Sequence, residues 1–592
     1  MRELSVNEIA ILEEQGCSAE DWAEILVDED FTTSSVRDVA FYGHVELGSL
    51  NGSMEVEDGF WRRSCLRNVT LRNVTIGDEC IIENIRGYIS DYKIGNRCYI
   101  SDCGIIMSQG STTCGAGETI SVLNEAGDGN IVLYPGLTSQ MAWLMINFPE
   151  VRTLAQNSVK TEDWQPSIGN NCRVVGVKEI VNTYIGDSAE IRGATRIYES
   201  TIESTDDIST FVGSDVIMEK SVVAPGATVT DGAKVFESFV GEQVHIGKGF
   251  SSEASVFFAN SYMDNGESCA AFCGPFSASH HKSTLLIGGA FSFYNAGSNT
   301  NQSNHAYKMG PIHWGTLARG TKTASGCHIL WPATFGVFSM VMGKVQTHPN
   351  TRQLPFSYII AEGLTTHLIP GVNLRTVGTW RDVGKWQKRD LRPVENRRDL
   401  VNCSFPNPYV IQSVLEGKEV LKQLQAKYGM DAAEYKYKGC VIRHDALEKG
   451  LHYYDMALRL FLYEYFQTTS DTDGADSQGG TWLDLCGMLA PKAEIDRVVQ
   501  DVRSGSITSV AELEGILSSI NSDYKVNAAA YAQHIMKQES EGGFIDQDYW
   551  LREAEEAHSE WLSLIRADAE KEYAMGDVEE KQLRDFIEKI EG

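Results

Sequence analysis

Residues 299–315, NTNQSNHAYKMGPIHWG, hold two histidines, a lysine, three asparagines, a tyrosine and a tryptophan, with no helical or alternating apolar face. The flanks add SASHHKS, with His280 and His281, and RGTKT, with Arg319 and Lys322. Eight of the thirteen histidines lie between 245 and 367, a density that an even spread would not produce. Imidazole titrates near pH 6.5, so it suits removal of a proton from a hydroxyl or amine nucleophile. His305 is the first candidate for that base and His281 the second. Asn304 would orient the base. Asn299, Asn301 and His313 would hydrogen-bond hydroxyl groups. Lys308, Arg319 and Lys322 would hold a phosphate, and Trp314 would stack on a ring. Each also has a plainer reading. A coil histidine such as His313 or His328 can bond backbone, corner asparagines can form turns, and Trp314 and Trp331 can pack.

Such groups need a rigid wall behind them, and the repeats supply one. Ile76 begins IGDECI and Ile94 begins IGNRCYI, eighteen residues on. Ile168 begins IGNNCRV and Ile185 begins IGDSAEI, seventeen residues on. VGSDVI, VAPGATV, DGAKV and VGEQVHIGKG follow between 212 and 249, with Val223, Val229 and Val235 stepping by six. An aliphatic residue, then glycine, on a six-residue step makes one side of a triangular coil. The aliphatic points inward and the glycine sits where a Cβ would crowd the corner. The pattern predicts a stacked parallel β-helix over 41–380. It stops between 115 and 157, where a loop-and-helix excursion is expected, with Ser139 as a helix cap. That excursion reads equally as a functional insertion and as the cover of an apolar seam.

Residues 1–40 read as a helical cap, with serine N-caps opening SVNEIAILEEQG and SAEDWAEILV. Residues 381–592 read as an α-helical domain. Ile411, Val414, Leu415, Leu421 and Leu424 keep helical spacing, 445–466 is a strong helix, and 468–480 is a polar linker.

The 592 residues carry a formal charge of −30. That balance argues against nucleic acid or an anionic membrane as the main partner. No apolar run is long enough to span a bilayer, and the N-terminus lacks a secretory core. Thirteen scattered cysteines without CxxC pairs fit reduced thiols in a cytoplasm.

The six-residue pattern resembles the hexapeptide-repeat, left-handed parallel β-helix, and the handedness is what the resemblance implies. LPFSYIIAEGLTTHLIPGVNLRTVGTWRD, 354–382, resembles the end of the coil in acyl-carrier-protein-dependent UDP-N-acetylglucosamine acyltransferases. Pro355, Tyr358, Ala361, Gly363, Gly371, Val372, Asn373 and Arg375 carry the likeness, and the order coil, Gly-Val-Asn, helices matches too. The whole chain looks most like an uncharacterised bacterial group of hexapeptide proteins. The resemblance implies a homotrimer that transfers an acyl group from acyl-CoA or an acyl carrier protein to a sugar or nucleotide-sugar, with no tightly bound cofactor. No GxGTR-like start accompanies it, so no fused nucleotidyltransferase domain is expected. Two other readings use the same residues. Carbonic anhydrases on this coil bind zinc or iron through three histidines, for which His281, His305 and His313 are the nearest set. A trimeric sugar-binding scaffold needs no catalysis at all.

Overall fold

The computed structural model describes every residue except 126, 161–163, 305–313, 469–479, 541–544, 577–579 and 592. The chain winds into a parallel β-solenoid of about 18 turns, followed by helices. One inward-facing column shows how it is held. Leu47, Ile76, Ile94, Ile168, Ile185 and Ile202 stand in direct register on successive turns. Val223, Val240, Phe257, Cys273, Phe291, Leu317 and Phe335 continue the same column. All are at most 1% exposed. Each such aliphatic contributes about 1.5–3 kcal/mol by leaving water, and the contribution exists only because the next turn covers it.

The residue after each Ile-Gly has its own task. Ser49 N–H donates to Asp78 Oδ1, Asp78 N–H to Asn96 Oδ1, Asn96 N–H to Asn170 Oδ1 and Asn170 N–H to Asp187 Oδ1, at 2.6–2.9 Å. This ladder satisfies corner amides that the sheet leaves unpaired. It also demands glycine beside it. A Cβ on Gly77 would lie against Asn96 Oδ1 and 2.8 Å from the Asn96 backbone nitrogen. The cysteines of IGDEC, IGNRC and IGNNC form a parallel interior ladder, with Cys80, Cys98 and Cys172 each donating to a glycine carbonyl one turn on, at 3.0–3.1 Å. All thirteen cysteines are free thiols.

The N-terminal expectation holds for one helix and fails for the other. Helix α1, Val6–Glu14, has the expected capping box at Ser5 and Glu8. The second predicted helix is instead a short 3-10 turn, Trp22–Glu24, between strands Ser18–Ala19 and Ile25–Val27. Those strands pair in parallel with Val36–Leu47, so the coil already begins within residues 1–40. Asp21 caps only that single turn. Placing Ile25 and Val27 at 0–1% exposure in the first turn outweighs the helical pattern.

The excursion leaves after strand Ile105–Met107 and the coil resumes at Ser167–Ile168. It forms an antiparallel hairpin, Thr119–Ser121 with Asn130–Val132, then helices α2, Ser139–Asn147, and α3, Pro149–Ser158. The cap of α2 is Thr138, one residue before the expected serine.

At its far end the coil closes with Tyr358–Glu362 folding back antiparallel on Thr365–Ile369. The Gly-Val-Asn sequence here has a structural role. Gly371 turns the chain at φ 72°, and Asn373 Nδ2 donates to the Phe338 carbonyl at 2.6 Å, capping the last turn. Helix α4, Val377–Trp386, follows, then α5, Pro408–Tyr428, and α6, His444–Thr468. Beyond them lie α7, Lys492–Ser504, α8, Val510–Ser522, α9, Tyr524–Glu539, α10, Gln547–Met575, and α11, Glu580–Glu591. The region 381–592 is not wholly helical. It carries two hairpins, Glu434–Tyr437 with Cys440–Arg443 and Trp482–Leu485 with Met488–Pro491. The first extends the coil's sheet through His367 and Val441. No helix among the described residues is long and apolar enough to cross a membrane.

A second core joins these parts. Met141, Leu144 and Met145 of α2 meet Leu485 and Met488 of the second hairpin, Val498 of α7 and Leu513 of α8. Outward-facing Val222, Phe239 and Phe258 of the coil complete it. The excursion therefore covers an apolar seam on the coil wall. Glu514 stands at this seam, and its Oε1 has no hydrogen-bond partner among the described residues. Burial raises its pKa to about 7 against the lowering pull of Arg398. The folded chain keeps this proton where the unfolded chain, with a value of 4.5, has released it. Stability is therefore lost as pH rises from about 4.5 to about 7, by at most ~3 kcal/mol. Glu514→Gln should match the parent at pH 4.5 and exceed it at pH 8 in urea unfolding.

Candidate functional site

A cleft of about 530 Å³ opens where the coil wall, the excursion and the second hairpin meet. The coil supplies Phe272, Trp314, Phe335, Asn350 and Arg352, and the excursion supplies Asn124, Asp128, Trp143 and Asn147. Tyr409 of α5 and Asp484 of the hairpin close it. Aromatic walls with a few amide, carboxylate and guanidinium groups match the composition of a small-molecule site. Trp314 is 45% exposed, large for an indole with no task. Burial, with the nearby Asp484 carboxylate, pushes the Tyr409 phenol up to about 12, so it is protonated at neutral pH.

Arg319 forms the back of this cleft and is 2% exposed. Its Nε donates to Asp484 Oδ2 at 2.8 Å and its Nη2 to Asp484 Oδ1 at 3.3 Å and the Gly487 carbonyl at 2.9 Å. Its Nη1 donates to the Asn402 carbonyl at 2.8 Å, and the guanidinium lies 4.1 Å from the centroid of the Phe293 ring. The phosphate role expected for Arg319 is thus corrected: its donors hold the second hairpin on the coil. The hairpin turn fits closely here. A Cβ on Gly274 would run into Cys486 Sγ and sit 3.1 Å from the Phe291 carbonyl. Lys322 is likewise engaged, forming an ion pair with Asp382 of α4. Burial lowers its pKa against that partner.

The remaining expected residues do not gather in the cleft. Asn299 is an exposed turn residue at φ 59°. Asn301 and Asn304 lie on strand Asn301–Asn304, opposite His328 and Trp331. His328 accepts from or donates to Ser303 Oγ at 2.7 Å, and burial, then Lys344, lowers its pKa. Trp331 is packed, with Nε1–H on the Ile287 carbonyl at 2.7 Å. His305, Lys308 and His313 lie outside the described residues.

His281 belongs to a second constellation on the open coil wall. Its ring meets His280 at 4.5 Å, His280 meets Tyr262 at 6.2 Å, and Tyr262 stacks on His245 at 4.5 Å. His245 Nε2 lies 3.1 Å from Asp264 Oδ1, and Lys248 Nζ lies 2.6 Å from Oδ2. Asp264 is 1% exposed. Burial, then the charge of His281, lowers the His280 pKa. This row was legible in part, since residues 245, 262 and 280 follow the coil's own period. The cleft was not, because Asn124, Trp143, Arg352, Tyr409 and Asp484 come from segments that share no period. Among the described residues no group of three or more histidine, cysteine, aspartate or glutamate side chains has metal-holding geometry.

Residues 1–425 match the family described as a domain of unknown function, DUF4954. The chain belongs to the DUF4954 family. Residues 467–578 match a second domain of unknown function, DUF6819. An uncharacterized protein of Treponema pallidum (strain Nichols) is 22% identical over 611 residues, covering 90% of this chain and 82% of the relative. The DUF4954 match takes in the coil, the excursion and Tyr409, whereas Asp484 and Cys486 fall in DUF6819. The cleft therefore lies on the seam between two matched domains, and Arg319 of DUF4954 grips Asp484 and Gly487 of DUF6819 across it.

Proposed function

We propose that this DUF4954 protein is a transferase that moves an acyl group from a thioester, acyl-CoA or an acyl carrier protein, to a sugar or nucleotide-sugar bound in the seam cleft. The observation that carries the reading is the lining of that cleft. Exposed Trp314 and half-buried Trp143 offer ring surface to a pyranose or a base. Exposed Asn147 and Asn350 offer amides to hydroxyl groups, and exposed Arg352 offers a guanidinium to a phosphate. Arg352 takes over the role that Arg319 cannot fill.

In this reading the acceptor hydroxyl or amine attacks the thioester carbonyl, its proton passes to a base, and the thiolate leaves. His305, nine residues before Trp314, is the proposed base. The coil is proposed to be left-handed and to assemble as a cytoplasmic homotrimer, as in the acyltransferases that 354–382 resembles. The exposed row from His245 to His281 is the proposed wall that faces the next subunit.

A second reading, a sugar-binding scaffold without catalysis, is favoured by one observation: the described lining of the cleft contains no imidazole. One titration and one assay separate the two. Both readings expect UDP-N-acetylglucosamine to bind, and Trp314→Ala to weaken it about 10-fold or more, ~1.4 kcal/mol. Only the transferase consumes acyl-CoA or acyl carrier protein in its presence. Failure of the parent protein to bind any nucleotide-sugar would remove both.

A further inference from the structure

The chain has 51 lysines and arginines against 81 aspartates and glutamates, so most of its surface is acidic. One cleft reverses the balance. It has a volume of about 1,020 Å³ and lies between α4, the 3-10 turn Gln387–Arg389, the strip 401–405 and helices α10 and α11. Six cations line it: Arg381, Lys385, Lys388, Arg389, Arg397 and Lys589. Among its described lining residues two carboxylates, Asp390 and Glu464, oppose them. Lys385 is taken by Asp382, and Arg397 lies 3.5 Å from Asp390. Arg381, Lys388, Arg389 and Lys589 have no ion pair or hydrogen bond among the described residues, and all four are exposed. Four like charges converging on a concavity repel one another, and an anion between them relieves that repulsion.

The floor is aromatic. Trp380 and Phe586 meet edge to face at 5.4 Å, and Phe405 packs beside Trp561 at 6.4 Å. Trp380, Phe405 and Phe586 are each half-buried, so part of every ring faces the cleft. A bare phosphate would use the cations and leave this floor idle. A flat ring carried on a polyphosphate would use both.

We infer that this cleft binds a nucleoside polyphosphate, with the phosphates on Arg381, Lys388, Arg389 and Lys589 and the base against the Trp380–Phe586 pair. The site shares no lining residue with the seam cleft, so it stands whatever that cleft binds.

Isothermal titration of the full-length protein with ATP and with inorganic tripolyphosphate tests this. ATP should bind more tightly than tripolyphosphate, and both should weaken as salt is raised. The double variant Lys388→Glu/Arg389→Glu should lose about 10-fold or more in ATP affinity. It should keep its unfolding midpoint, because both side chains are exposed and unpaired. Trp380→Ala should remove the advantage of ATP over tripolyphosphate. Lys422→Glu, exposed on α5 and outside both clefts, should leave ATP binding unchanged. Absence of ATP binding, equal binding by the double variant, or equal affinity for ATP and tripolyphosphate would each overturn the inference. So would binding confined to an acidic polypeptide such as polyglutamate.

Discussion

Replacing Arg319 by leucine is expected to destabilise the protein by about 3–5 kcal/mol, the range for breaking one side of a buried ion pair. The cost has two parts. Asp484 keeps a charge that is 8% exposed and has lost its cation. The carbonyls of Asn402 and Gly487 lose their donor in the same step. The residual charge is the larger part, so a second substitution should recover much of the loss. Arg319→Leu/Asp484→Leu is expected to be more stable than Arg319→Leu alone. Arg319→Lys should lie between the parent and the leucine variant, because an ammonium cannot match the forked contact on both carboxylate oxygens. Guanidinium unfolding followed by tryptophan fluorescence reads all three. The loss should come with earlier proteolysis of the second hairpin, because Arg319 holds its turn on the coil beside the apolar contacts of Leu485 and Met488.

His305→Ala is expected to lower the rate of acyl transfer to a sugar acceptor by about 10²–10⁴, the usual worth of a positioned base. Binding of UDP-N-acetylglucosamine should change little, since a base acts on the proton and not on the bulk of the ligand. His281→Ala should have a much smaller effect, because His281 sits in the Tyr262–His280 row and not among the residues lining the seam cleft. The reverse ranking would move the chemistry to the open wall beside His245 and Asp264.

The coil was readable because its physics is local and periodic. Ile168 and Ile185 announce themselves by spacing, and their neighbours in the next turn are the residues that the spacing picks out. The helices α5 and α6 were readable for the same reason, with Ile411, Val414 and Leu421 on one buried stripe. What escaped was non-periodic. Residues 18–27 look helical by caps and charge, yet Ile25 and Val27 are claimed by a column whose other members lie beyond residue 40. The two hairpins after residue 430 turn at Lys438-Gly439 and Cys486-Gly487, all four at positive φ, but their strands are only four residues each, too short for an alternating pattern to stand out between helices. Arg319 looked like an anion ligand because its partner, Asp484, is 165 residues away. The seam cleft hides for the same reason, being built from four segments that only the folded chain brings together.

The placement of the ligand in that cleft is tested most directly by hydrogen–deuterium exchange of the full-length protein with and without UDP-N-acetylglucosamine. Slower exchange is predicted at 123–129, at 314–319 and at 483–486, the excursion, coil and hairpin walls of one site. Protection confined to 381–405, or to the open wall from His245 to His281, or no protection at all, would contradict it.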